Sequence, residues 1–194
     1  RIAPAANQSG VAIITITLAD ESGGQVERTF QVTVNPVNDP PTLSAVDDLS
    51  LRANQVAGPI TVALDDIDHP AAALTLAVQS SNLDLIPLDR IVVTGDGDLR
   101  TLVIAPVKNV AGTAIVTLTV IDPDGLQSST TLAVTVAENE SPTLTSIADQ
   151  SLLEDSQLGD ITFVIGDLET SLDGLTVSVS SDNPTLLPAG SLIV

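Results

Sequence analysis

The stretch TAIVTLTVIDPDGLQSSTTLAVTV, residues 113–136, decides the fold class of this chain. Apolar residues alternate with threonine over 116–120, and the alternation resumes over 132–136 after an Asp-Pro-Asp-Gly sequence at 122–125. Alternation with period two places the apolar side chains on one face of a β-strand, and Asp, Pro and Gly favour the turn between two strands. The stretch therefore predicts two consecutive β-strands with one buried face.

The same alternation continues on the N-terminal side of this stretch, and no segment has the spacing of an amphipathic helix. The predicted strands are A (43–53), B (59–65), C (73–80), D (90–94), E (99–105), F (113–121) and G (128–136). Seven short strands in roughly 100 residues are typical of an immunoglobulin-like sandwich. Because the chain contains neither Cys nor Trp, Leu, Ile and Val must form the whole core.

An internal repeat extends this interpretation to the rest of the chain. IAPAANQSGVAIITITLAD from Ile2 matches IAPVKNVAGTAIVTLTVID from Ile104, and PTLSAVDDLSL from Pro41 matches PTLTSIADQSL from Pro142. We therefore predict an all-β chain of tandem immunoglobulin-like (cadherin-like) β-sandwich repeats of about 100 residues. The predicted portions are the C-terminal half of one repeat (strands E–G, 1–38), a complete repeat (39–139) and the N-terminal half of the next (strands A–D, 140–194).

Composition excludes several classes of function. The net charge of −19 argues against nucleic acid as a partner and against binding to anionic membrane surfaces, since both need basic residues. The apolar fraction of 43% supports a packed core rather than disorder. Aromatic platforms for glycans or bases are missing, because Phe30 and Phe163 are the only aromatic residues. No catalytic constellation is present, so we expect no enzyme, and His69 is expected to be a solvent-exposed loop residue.

Acidic residues concentrate in the loops that an immunoglobulin-like topology brings to one end of the sandwich, beside the linker from the preceding repeat. They are Asn38 and Asp39 in the linker, Asp65, Asp66 and Asp68 in the B–C loop, Asp96 and Asp98 in the D–E loop, and Asp122 and Asp124 in the F–G loop. Calcium takes six to eight oxygen ligands, which such loops could supply. An alternative stays open, because Asp and Asn also favour turns and keep a surface soluble.

The sequences VNPVNDPPT (34–42), ADQSLLEDSQLGDITFVIGDLET (148–170) and IAPAANQSGVAIITITLAD (2–20) resemble the cadherin-like and immunoglobulin-like tandem repeats of large bacterial surface proteins, or adhesins. The resemblance covers essentially the whole chain and implies an extracellular location at the bacterial cell surface. In cadherins a linker Asn-Asp and an Asp-x-Asp or Asp-x-Glu pair bind calcium and stiffen the junction. Here Pro36 and Ala137 stand where the cadherin linker usually begins with another Asp.

Carried over to this chain, the resemblance implies a calcium site at each junction between repeats. The implied ligands are Asn38, Asp39, Asp66 and Asp68 at the first junction and Asn139, Glu140, Asp167 and Glu169 at the second. Asp122 is added as a further ligand because Asp-Pro-Asp-Gly matches part of an EF-hand loop, although strands rather than helices flank it.

The function predicted from these features is a structural or adhesive stalk, whose partners are the neighbouring repeats of the same protein. Two alternatives stay open. In the first, other copies of the chain complete the half-repeats and form a filament. In the second, the repeat is a module that binds an adhesion ligand directly.

Overall fold

The computed structural model describes residues 1–193, which form β-strands and a few short 3-10 helices. The strands are β1 (Gly10–Ala19), β2 (Gln25–Val34), β3 (Thr42–Leu43), β4 (Leu49–Leu51), β5 (Ala57–Asp65), β6 (Thr75–Ser80), β7 (Ile91–Thr94), β8 (Leu99–Ile104), β9 (Gly112–Ile121), β10 (Gln127–Val136), β11 (Thr143–Leu144) and β12 (Ile165–Gly166). The 3-10 helices are Ala71–Ala73, Leu88–Arg90, Leu172–Gly174 and Ala189–Ser191. The predicted all-β class is confirmed.

Two four-stranded sheets in the middle of the chain form a sandwich, with strand orders β3-β5-β8-β7 and β4-β10-β9-β6. Pairing is antiparallel except between β4 and β10, which run parallel with Leu49 opposite Val134. Most inward positions of the alternating strands are almost completely buried, as the sequence pattern predicted, whereas Ile60, Leu76 and Val78 are only partly buried. The side chains that are no more than 2% exposed include Val62, Leu64, Leu102, Ile104, Val116, Leu118, Val120, Leu132 and Val134.

The prediction of one continuous A strand over 43–53 is wrong, because this segment forms two short strands in different sheets. β3 pairs with β5, and the chain then crosses over so that β4 pairs with β10. The segment between β3 and β4 contains Asp47 and Asp48, and aspartate is rare in β-strands. The carboxylate of Asp48 accepts a hydrogen bond from the backbone N–H of Ala133 at 2.7 Å, where a continuing strand would offer a carbonyl oxygen.

The first hairpin of the chain reproduces the last hairpin of the sandwich residue by residue. β1 pairs with β2 from Gly10↔Val34 onward, and β9 pairs with β10 from Gly112↔Val136 onward. The tight turns also agree, since Gly23 has φ +88° and Gly125 has φ +92°, values that only glycine adopts readily. Two segments 102 positions apart therefore share one backbone conformation.

Residues 140–193 repeat part of the start of the sandwich, while the segments that correspond to β4 and β6, at 150–152 and 176–181, are not strands. β11 pairs with β12 at Thr143↔Gly166, which matches the pairing of β3 with β5 at Thr42↔Asp65 after a shift of 101 positions. The last two 3-10 helices follow the first two at the same spacing. These equivalences support the division into portions 1–38, 39–139 and 140–194, which stays a prediction.

Candidate metal centre

Two hydrogen bonds tie the linker that follows β2 to two loops of the sandwich. The side-chain amide of Asn38 donates from Nδ2 to Oδ2 of Asp122 at 2.7 Å, which joins the linker to the β9–β10 turn. The backbone N–H of Asp39 donates to Oδ2 of Asp68 at 2.7 Å, which joins the linker to the β5–β6 loop. The structure thus brings together Asn38, Asp39, Asp68 and Asp122 at one end of the sandwich, as the topology predicted.

Asp122 owes its position to the turn that it begins. Its Oδ1 accepts the backbone N–H of Leu126 at 2.9 Å, and the residue is only 5% exposed. Burial by itself raises the pKa of Asp122. The hydrogen bonds from the Asn38 amide and from the backbone N–H groups of Leu126, Gly125 and Asp124 outweigh burial, so that the pKa lies below its ordinary value. Asp122 is therefore held as a carboxylate.

Asp66 organises the β5–β6 loop. Its Oδ1 accepts the backbone N–H groups of Asp68 and His69, both at 2.8 Å, in the local turn that Asp side chains favour. The side chain of Asp66 is fully buried. Its second oxygen, Oδ2, has no hydrogen-bond partner within residues 1–193.

The expectation that His69 is a solvent-exposed loop residue is wrong. Its side chain is only 20% exposed, with Nδ1 3.4 Å from Oδ1 of Asp66 and Nε2 3.4 Å from Oδ2 of Asp124. The turn around Asp66 folds the loop back on itself and directs the imidazole towards the β9–β10 turn. The sequence carried one signal for this position, the placement of His69 three residues after a turn-forming Asp.

The centre has an excess of electron-pair donors. Asn38 Oδ1, Asp66 Oδ2 and His69 Nδ1 are all buried, and none of them has a hydrogen-bond partner in the described part of the chain. Asp66, His69 and Asp122 also offer ligand atoms that all lie within 4.8 Å of one another. Buried polar groups without partners are costly, and a bound cation removes that cost. The residues present therefore fit a divalent cation.

The second junction repeats part of this arrangement. The backbone N–H of Glu140 donates to Oε2 of Glu169 at 3.3 Å, as that of Asp39 does to Asp68. Asp167 accepts the backbone N–H groups of Glu169 at 2.9 Å and Thr170 at 2.6 Å. The hydrogen bond from the Glu169 N–H has the largest effect on the pKa of Asp167 and lowers it. Burial raises this pKa, but the hydrogen bonds from Thr170 add to that from Glu169, so that the pKa lies below its ordinary value.

Two differences separate the junctions. Thr170 occupies the position that corresponds to His69. The side-chain amide of Asn139 donates to the backbone carbonyl of Glu140 at 2.8 Å, whereas that of Asn38 reaches across to Asp122.

The loop between β7 and β8 lies at the same end of the sandwich, but it takes part through its backbone rather than through its acidic side chains. The backbone carbonyl of Asp98 accepts the N–H of Leu64 at 2.7 Å, while the side chains of Asp96 and Asp98 are exposed. Arg100 was not singled out from the sequence, yet it is only 5% exposed. Its guanidinium donates to the carbonyl oxygens of Gly97, Ala71 and Leu74, and so holds the segment that follows His69.

Replacement of Asp122 by Asn should lower the stability of the protein at neutral pH and remove part of its acid sensitivity. Asn offers an NH₂ group where the Asn38 amide needs an acceptor. Because the pKa of Asp122 is depressed in the folded state, its contribution is complete above the unfolded-state pKa of about 3.9 and is lost as the pH falls through the lower folded value.

Thermal unfolding midpoints measured from neutral pH down to about pH 2 check this expectation. The midpoints of the wild-type protein and Asp122→Asn should converge in acid. Asp20→Asn is a matched control, because Asp20 corresponds to Asp122 in the first hairpin but is exposed. A constant difference between the wild-type and Asp122→Asn midpoints at every pH would contradict the proposed role of the carboxylate.

Comparisons with known proteins agree with this architecture. A family model described as bacterial Ig domain matches residues 38–136. No curated protein matches the chain. The predicted immunoglobulin-like fold class is confirmed by the family match together with the two-sheet topology.

Similar solved structures share low sequence identity with this chain. The titin M3 domain is 17% identical, with coverage of 50% of this chain and 95% of that one and a TM-score of 0.38. Domains 4 and 5 of the S-layer protein SbsC are 18% identical, with coverage of 66% and 65% and a TM-score of 0.40. Extracellular cadherin domains 3–6 of protocadherin gamma B2 are 12% identical, with coverage of 71% of this chain and 34% of that one and a TM-score of 0.47.

Proposed function

We propose, from the premise that the chain belongs to the bacterial Ig domain family, that it is a segment of an extracellular stalk whose junctions between repeats are stiffened by calcium. The family supports an adhesive or structural repeat at the bacterial surface. No helix within residues 1–193 is long and apolar enough to cross a membrane. The observation that carries the proposal is the linker bound to two loops beside buried, unpartnered oxygen atoms.

A stalk requires repeats that are joined by rigid linkers. The linker between β2 and β3 runs from Asn35 to Pro41 and contains three prolines, which restrict the backbone. Asn38 and Asp39 then fix this linker to the sandwich through their hydrogen bonds to Asp122 and Asp68. Strands of nine or ten residues give each repeat a length of roughly 35–45 Å including loops, so that a tandem array would form a long rod.

Calcium suits the donors at the junctions because it prefers carboxylate and amide oxygens. In our proposal the ligands are Asn38, Asp39, Asp66, Asp68 and Asp122 at the first junction and Asn139, Glu140, Asp167 and Glu169 at the second. The ion would supply positive charge to a chain with a net charge of −19. It would also link the linker to the loops by further bonds, and so restrict the angle between successive repeats.

Small-angle X-ray scattering of the full chain with calcium and with a chelator tests the proposal. Calcium should narrow the distribution of shapes of the wild-type protein. At a calcium concentration 100 times the Kd, it should also add about 2.7 kcal/mol to the free energy of unfolding. Asp66→Asn should weaken both effects, because it removes the charge of the buried carboxylate.

Asp96→Asn serves as the control for charge, since Asp96 is exposed and lies outside the cluster of Asp66, His69 and Asp122. This variant should respond to calcium as the wild-type protein does. Scattering profiles and unfolding midpoints that are identical with calcium and with chelator would refute calcium stiffening and leave a stalk stiffened by its prolines alone.

A second candidate function, a filament of repeats, is favoured by the apolar face of the first hairpin. Ile16, Leu18 and Phe30 are 58%, 68% and 42% exposed, whereas the corresponding Leu118, Val120 and Leu132 are at most 1% exposed. Residues 140–193 contain β11 and β12, which correspond to β3 and to the end of β5 in the sandwich. The forward scattering intensity in the same experiment gives the molecular mass, which should grow with concentration if other copies cover this face. A constant monomer mass would count against the filament.

A further inference from the structure

We propose that His69 makes the first junction a binding site for a divalent ion of the zinc class, with Asp66, His69 and Asp122 as its protein ligands. The inference rests on the proposed function in one respect, because both place a cation among the same loops. It differs in the kind of ion. Calcium is bound through oxygen atoms, whereas imidazole nitrogen is a common ligand of zinc, copper and nickel. The second junction, with Thr170 in place of His69, lacks this nitrogen.

The ligand atoms of the first junction are already close together. Nδ1 of His69 lies 3.4 Å from Oδ1 of Asp66. Two ligand atoms bound about 2.0–2.1 Å from a tetrahedral ion are separated by roughly 3.4 Å. The ligand atoms of Asp66, His69 and Asp122 all lie within 4.8 Å of one another, so that small side-chain shifts would bring the third ligand into place. Three protein ligands leave a fourth position, which water or the unpartnered Oδ1 of Asn38 can fill.

Burial separates this site from an ordinary acidic surface. The side chain of Asp66 is fully buried, and its Oδ2 makes no hydrogen bond to any of the residues that the structure describes. Nδ1 of His69 is also buried without such a partner. Asp66 Oδ2 and His69 Nδ1 are donors of the kinds that a zinc-class ion binds, and the other oxygen of Asp66, Oδ1, is held by the N–H groups of Asp68 and His69.

The surroundings of His69 resemble those of a metal-binding histidine. Nδ1 and Nε2 each lie 3.4 Å from a carboxylate oxygen, of Asp66 and of Asp124 respectively. In the tautomer with the proton on Nε2, that N–H faces Asp124 and the Nδ1 lone pair is available to the ion. Histidines that bind metals usually donate their other ring N–H to a carboxylate, a carbonyl or water, which fixes the ring and the tautomer. Asp124 would be a positioning residue in this site, and Asp66, His69 and Asp122 would bind the ion.

Isothermal titration of the full chain with Zn²⁺ alone, and separately with Ca²⁺ alone, tests the inference on the wild-type protein and on His69→Thr. This substitution introduces the residue that the next repeat carries at the corresponding position. The wild-type protein should bind one Zn²⁺ ion at this site much more tightly than at any other site. Loss of a residue that only hydrogen-bonds to a metal ligand costs roughly 10–100-fold in affinity, so that loss of the ligand itself in His69→Thr should weaken Zn²⁺ binding by at least as much. The substitution should leave Ca²⁺ binding unchanged.

Ring signals in NMR spectra give a second readout that does not depend on a variant. His69 is the only histidine, so that its imidazole resonances report this site alone. Substoichiometric Zn²⁺ should shift the Nδ1 resonance strongly, and bound Co²⁺ should show the intense visible absorption of a tetrahedral ion. Equal Zn²⁺ affinity in the wild-type protein and His69→Thr, or an unshifted ring, would overturn the inference. Zinc binding without any calcium binding would refute calcium stiffening and leave the inference intact.

Discussion

Replacement of Leu118 by alanine should lower the free energy of unfolding by about 3–5 kcal/mol. Leu118 lies in β9, which has β10 on one side and β6 on the other, and its side chain is fully buried. The loss combines the transfer of the missing methyl and methylene groups with the cost of the cavity, which neighbours such as Val116 on the same strand and Val78 on β6 cannot fill without moving their strands. Urea denaturation followed by circular dichroism measures the change.

Ile16→Ala is the matched control, because Ile16 occupies the position of Leu118 in the first hairpin, 102 residues earlier. Its side chain is 58% exposed, so that the substitution should change the free energy of unfolding by less than about 0.5 kcal/mol. A comparable loss in both variants would contradict the exposed position of Ile16. If that loss increased with protein concentration, it would instead support the filament, in which another copy covers the face of the first hairpin.

The strands could be predicted from the sequence because a single rule governs them. In β9 the apolar positions 114, 116, 118 and 120 are buried and the positions between them are not, and the prediction needed only this alternation. The crossing between β3 and β4 could not be predicted in the same way. Apolar residues such as Leu43 and Leu49 suit either sheet, and the exchange of partners depends on the hydrogen bond between the Asp48 side chain and Ala133, 85 residues away.

The candidate site was predictable only as far as topology determines it. A sandwich places the linker, the B–C loop and the F–G turn at one end, which is where Asn38, Asp68 and Asp122 meet. The position of His69 depends on how two loops pack against each other, which no periodicity encodes. Arg100 did carry a signal, since it shares the inward register of β8 with Leu102 and Ile104, and a charged residue at such a position needs partners.

Replacement of Arg100 by methionine should destabilise the sandwich by about 2–4 kcal/mol, even though methionine keeps most of the apolar length of the side chain. Arg100 is 5% exposed and donates to carbonyl oxygens on both sides of the site, at Gly97 in the β7–β8 turn and at Ala71 and Leu74 in the β5–β6 loop. The variant would remove the guanidinium donor from all three acceptors, although the carbonyl of Ala71 would keep the N–H of Leu74 as a partner. Arg90→Met is the matched control, because Arg90 is exposed and should tolerate the change within about 0.5 kcal/mol.

The consequences of the Arg100 substitution should reach the candidate metal centre. The 3-10 helix Ala71–Ala73 begins two residues after His69. Arg100 donates hydrogen bonds to the carbonyl of Ala71, the first residue of this helix, and to the carbonyl of Leu74, the residue after the helix. Without these bonds the amides of Ala73 and Leu74, which donate to Pro70 and Ala71, should exchange their hydrogens faster. Arg100→Lys should recover only part of the stability, since an ammonium group lacks the planar array of donors that reaches three carbonyls. Unchanged exchange at these two amides in Arg100→Met would show that the loop holds its position without the guanidinium, and that the linker hydrogen bonds of Asn38 and Asp39 suffice to order the centre.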